Sequence, residues 1–129
     1  MGQRDAQSGL GSRVGMSQFF ASLPADEISS ARPSQCSIDG LSVLLVRDSE
    51  GTIFAFENNC SHADKPLEKG VWNAQTREIL CPFHKAVFEV AHAGRVRVGP
   101  AVVSLQVFPV QIREHNGIPT VFVGIDSSD

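Results

Sequence analysis

Two short cysteine–histidine pairs, Cys60-Ser-His62 and Cys81-Pro-Phe-His84, carry the chemistry of this chain, with eighteen residues between them. Together Cys60, His62, Cys81 and His84 offer two thiolate sulfurs and two imidazole nitrogens. That donor set fits one tetrahedral zinc, or an iron–sulfur cluster with one iron held by sulfur and the other by nitrogen. Zinc-binding turns usually leave at least two residues between paired ligands. Cys60 and His62 have only one between them, which makes chelation of a single tetrahedral ion awkward. The remaining histidines, His92 in the turn Ala91–Gly94 and His115 beside Asn116-Gly117, read as solvated turn residues. Cys36 is the only other cysteine. It has no partner for an internal disulfide and reads as a small, partly buried strand residue.

The residues around the pairs separate the two options. The stretch CSHADKPLEKG from Cys60, then CPFH from Cys81, then GPAV from Gly99, resembles the Rieske family, and PLEKG and GPA have no zinc-finger counterpart. The resemblance covers about residues 17–124 and is most specific from 58 to 101. It implies one 2Fe–2S cluster. Cys60 and Cys81 would bind the buried iron, and His62 and His84 the exposed iron through Nδ1. Two neutral imidazoles in place of two thiolates remove two negative charges, so an added electron costs less than in an all-cysteine cluster. Gly99-Pro100 matches the family's proline turn that covers the cluster from one side.

In its departures from the high-potential members of that family, the chain resembles the low-potential, soluble branch. Those members carry an extra cysteine in each cluster loop, joined as a disulfide. They also carry a serine and a tyrosine that donate hydrogen bonds to sulfur. Here Phe83 stands at the cysteine position, Ala86 at the serine and Phe88 at the tyrosine, and the chain has no tyrosine at all. Without hydroxyl donors the reduced cluster is less stabilised, which predicts a midpoint near the low end of the Rieske range, roughly −150 mV. Lys85 also departs, standing where a glycine is commonest.

The branch implies an electron carrier rather than an enzyme. It would take one electron from an NAD(P)H-dependent flavin reductase to a terminal oxygenase of an aromatic-ring dioxygenase system. The alternatives are the small electron-transfer subunit of an assimilatory nitrite reductase, or a non-redox interaction domain on the same fold. The length leaves no residues for an oxygenase's own two-histidine, one-carboxylate iron site. By resemblance His62 and His84 sit at the tip of the cluster lobe, where Pro66, Leu67, Phe83 and Pro100 would form an apolar rim with Lys85 at its edge. Lys85, Arg95 and Arg97 outnumber Glu89 in the second loop, which suggests a locally positive rim facing an acidic partner.

Elements that position such loops are strands. LSVLLVR (41–47), the turn Asp48–Gly51 and TIFAFE (52–57) read as a hairpin. SLQVFPVQIR alternates in two halves, Leu105 and Val107, then Val110 and Ile112, broken at Pro109. A proline there marks an edge or a bulge. Asn116-Gly117 predicts a tight turn and IPTVFVG a returning strand. A short helical turn is expected near Pro24–Glu27, and Ala86–Val90 is one of several very short strands among the loops.

The expected fold is all-β: a Rieske-like β-sandwich with a small loop-built cluster-binding subdomain. At 129 residues one domain is expected, residues 16–125, with the cluster lobe at about 58–100. Residues 1–15, polar and glycine-rich, read as a disordered leader or an expression remnant without a signal-peptide core. A net charge of −3 argues against nucleic acid and anionic membranes as partners, and no apolar run spans a bilayer. Cytoplasm is the expected address.

Overall fold

The structure, a computed structural model, describes residues 17–59, 66–81, 86–98 and 105–126. Its strands are β1 (Ser17–Pro24), β2 (Ser34–Ile38), β3 (Leu41–Arg47), β4 (Ile53–Glu57), β5 (Val71–Asn73), β6 (Glu78–Leu80), β7 (Val87–Glu89), β8 (Arg95–Val98), β9 (Val107–Phe108), β10 (Val110–His115) and β11 (Ile118–Asp126). Among the described residues they form three antiparallel sheets, ordered β1-β11-β10, β2-β3-β4-β9 and β5-β6-β7-β8. The only helical segments among these residues are single 3-10 turns at Ala25–Glu27 and Val90–His92, so the expected all-β class holds. No helix among them is long and apolar enough to cross a membrane.

The sheet containing β3 and β4 is the middle layer, which explains the unbroken apolar run of β3. Side chains alternate between faces along a strand, so a strand covered on both sides is apolar at every position. Val43 and Leu45 point with Ala55, Ile53 and Phe108 into a core shared with Val121, Val123 and Ile125 of β11. Leu44, Val46 and Phe56 point the other way, into a core shared with Leu67, Trp72, Ile79, Cys81, Ala86, Phe88, Val90 and Leu105. Each fully buried side chain of this size contributes about 1.5–3 kcal/mol. The small sheet therefore rests on the middle sheet, and the candidate ligand Cys81 lies inside the core between them.

The break at Pro109 is where the chain changes sheets. β9 pairs with β4, while β10 pairs with β11, and the Pro109 carbonyl accepts the Gly124 amide at 2.9 Å across that junction. The alternation expected beyond the break fades. Ile112 is 51% exposed because β10 is an edge strand, covered less than the strands beside it. Asn116-Gly117 makes the expected tight turn, with φ of 55° and 81°, the doubly left-handed geometry of a two-residue hairpin. His115 is the last residue of β10 rather than part of the turn. Its ring meets Phe122 edge-on at 5.8 Å.

Candidate metal centre

Of the four candidate ligands, Cys81 is described. Cys60, His62 and His84 lie outside the described residues, as do Phe83, Lys85 and Pro100. The frame that carries them is described in detail. Cys81 follows β6 directly and is fully buried. Its amide donates to the Ala86 carbonyl at 2.8 Å, one step beyond the Leu80–Val87 pair of the β6–β7 ladder. The strand pairing therefore runs up to the base of the second loop, and Cys81 and Ala86 form its two posts.

The first loop has posts of its own. The Asn58 amide donates to the Ser42 carbonyl at 2.9 Å, and the Asn58 side-chain oxygen accepts the Leu67 amide at 2.7 Å. Leu67 is fully buried beside Cys81 and Ala86 in one core. The described bases of the two Cys/His loops are thus brought together in one core.

Glycine makes that approach possible. Gly70 donates its amide to the Leu67 carbonyl at 2.8 Å, closing a tight turn. A Cβ on Gly70 would sit 2.5 Å from the Leu80 carbonyl oxygen and 3.0 Å from that of Leu67. Only a residue without a side chain lets the end of the first loop lie against the strand that leads into Cys81. The PLEKG segment therefore supplies a buried anchor at Leu67 and a close backbone approach at Gly70.

Two expectations need correction. Leu67 is not part of an exposed apolar rim. It is fully buried, because it is the plug that ties the first loop to the core, while Pro66 beside it is exposed. Nor do Arg95 and Arg97 form a free positive rim. Arg95 pairs with Glu89, and Arg97 with Glu78 at 2.5 Å, so both charges are matched across the small sheet.

Ala86 and Phe88 are both fully buried and apolar. The positions expected by resemblance to carry hydroxyl donors thus hold a methyl group and a phenyl ring. Cys36, on β2 opposite Val43, is half-buried, and burial pushes its thiol above the ordinary range. It behaves as a packing residue.

Sequence reasoning missed three supports of this frame. The Trp72 indole donates to the Arg47 carbonyl at 2.9 Å, so the aromatic body is buried and its one polar atom satisfied. Arg77 pairs with Asp48, which the sequence alone shows only as a turn position. Asn58 lies two residues before Cys60. Its closeness to the motif was the one available signal, since nothing in a lone Asn distinguishes a clasp from a solvated loop residue.

The chain matches the family described as the Rieske [2Fe-2S] domain over residues 18–109. The cytochrome bc1 complex Rieske iron-sulfur subunit of Corynebacterium diphtheriae is 34% identical to it over 64 residues, 50% of this chain and 15% of that protein. The ferredoxin component of the naphthalene 1,2-dioxygenase system of Pseudomonas aeruginosa is 33% identical over 69 residues, 54% of this chain and 64% of that protein. The matches thus span less than two thirds of either relative. In structure, the ferredoxin of carbazole 1,9a-dioxygenase from Nocardioides aromaticivorans IC177 superposes with a TM-score of 0.72 at 28% identity, covering 81% of this chain and 95% of that one.

Proposed function

The chain belongs to the Rieske [2Fe-2S] domain family, and on that premise we propose that it carries single electrons from an NAD(P)H-dependent flavin reductase to a terminal oxygenase in the cytoplasm. The domain is an electron-transfer module rather than a catalyst. The observation that carries the finer reading is its likeness to the carbazole 1,9a-dioxygenase ferredoxin over 95% of that protein.

Cys60, His62, Cys81 and His84 are the residues that would hold the 2Fe–2S cluster. The donor set fits: a fully buried thiol at Cys81, reached from an apolar core, suits the inner iron of such a cluster. When bound, the cluster supplies a one-electron couple poised by its two neutral imidazole ligands. The remaining work falls to the chain. Leu67, Ile79, Ala86 and Phe88 keep water from the Cys81 side of the site. Ala86 and Phe88 offer no hydroxyl to sulfur, so nothing from these positions stabilises added negative charge. The middle sheet holds the base of the first loop through Asn58, and the small sheet holds that of the second through Cys81 and Ala86.

Reconstitution tests the proposal. NADH with a flavin reductase of an aromatic-ring dioxygenase system should reduce the protein by one electron, and the reduced protein should support turnover by a matching oxygenase. Failure with every oxygenase, together with tight co-purification with a sirohaem enzyme, would assign it instead to nitrite reduction.

A further inference from the structure

We infer that Asn58 is a positioning residue that clasps the ends of the segment carrying Cys60 and His62 and anchors them to the middle sheet. The inference rests on the proposed cluster. The Asn58 side chain spends each of its hydrogen-bonding groups on a different element. Its Oδ1 accepts the Leu67 amide at 2.7 Å, across the whole candidate loop. Its Nδ2 donates to Ser42 Oγ of β3 at 3.0 Å and to Glu68 Oε1 at 3.0 Å. Ser42 Oγ also accepts Gln35 Nε2 of β2 at 2.9 Å. A connected path therefore runs from the edge strand β2 through β3 to both ends of the loop.

The orientation of the amide is fixed by its partners. The Leu67 N–H can only donate, so the atom facing it is the oxygen, and a carboxylate and a hydroxyl then receive the two amide hydrogens. Aspartate would lose both donations and face Glu68 with like charge. Alanine would lose all three bonds. Holding the two ends of the segment together removes chain entropy that would otherwise oppose presenting two ligands at once. Asn58 does this without occupying a ligand position, and Leu67 plugs the far end into the core.

The test measures how long the folded holoprotein keeps its iron. Visible absorption is followed in excess ferrous chelator, with iron per chain measured alongside. Asn58→Ala should lose iron at least about tenfold faster than the parent, since even one well-made hydrogen bond is worth about that factor, and the Leu67 amide should exchange its hydrogen faster. Glu68→Gln, which keeps an acceptor, should stay close to the parent. Ser42→Ala, placed on β3 outside the loop, should speed loss about threefold and decides the matter if Asn58→Ala does not fold. A change in the g-anisotropy of the reduced Asn58→Ala protein supports positioning over general stability. Iron loss at the parent rate in both variants would overturn the inference, as would loss that only tracks global unfolding in urea. A parent protein without iron would sink the proposed function itself. A loaded parent with unaltered variants would sink only the role of Asn58.

Discussion

Asp48 Oδ2 and Arg77 Nε meet at 2.8 Å, joining the tip of the β3–β4 hairpin to the turn between β5 and β6. Asp48 is 2% exposed. Its other oxygen accepts the Glu50 and Thr52 amides at 2.9 and 2.8 Å. The same hairpin tip donates the Ser49 amide to the Ala74 carbonyl at 3.0 Å and accepts the Trp72 indole at the Arg47 carbonyl. A short turn in the middle sheet thus seats the hairpin from which β6 runs to Cys81.

This seat makes stability fall in acid. Burial pushes the Asp48 carboxyl up. The Arg77 hydrogen bond, the two amides and the Arg77 charge outweigh it and hold the group below its ordinary range. A carboxyl depressed in the folded state stabilises fully above its unfolded value, near ~4, and that contribution fades as pH falls through the folded value. Asp48→Ala should cost about 1–3 kcal/mol at pH 7. Urea midpoints for the parent and the variant should converge as the pH is lowered from about 5 toward 2. A gap independent of pH would show that the charge of Asp48 contributes nothing.

Much of the fold was legible because its signals are local. The 41–57 hairpin, the break at Pro109 and the Asn116-Gly117 turn each rest on neighbouring residues whose conformational preferences agree. The family was legible for the same reason, because its motif lies in short contiguous stretches. The supports were not. Asp48 resembles any turn aspartate until Arg77, remote in sequence, is folded against it. Leu67 looked like a rim residue because a leucine in a polar loop gives no sign of which way it faces. Arg95 and Arg97 read as surplus charge in a linear sequence, because their pairing with Glu89 and Glu78 exists only once β6, β7 and β8 lie side by side.

Gly94 is the second place where backbone space is decisive. Its φ is +72°, and a Cβ there would lie 2.1 Å from the Leu105 carbonyl oxygen. Its own carbonyl accepts the Leu105 amide at 2.8 Å, holding the return segment against the small sheet. Gly94→Ala should therefore cost at least about 1–3 kcal/mol in urea unfolding. An unchanged midpoint would mean that this junction relaxes freely.

The midpoint potential should report the missing hydroxyls. With methyl and phenyl groups at Ala86 and Phe88, the expected value is roughly −150 mV, and thiol reductants should not shift it. Ala86→Ser and Phe88→Tyr should each raise it, because a buried hydroxyl in this core gains most by donating to sulfur. Square-wave voltammetry of the three proteins settles the sign. A parent midpoint well above zero would contradict the hydrogen-bond explanation.

Whether Cys60, His62, Cys81 and His84 hold a two-iron cluster is tested most directly by quantifying iron, zinc and acid-labile sulfide in the purified protein. The reduced form is examined by EPR on the same sample. The expected result is two iron and two sulfide per chain, as the Rieske [2Fe-2S] family requires, with a low average g value. Replacing His84 by alanine should lose or alter that signal. One zinc per chain with no iron would contradict it.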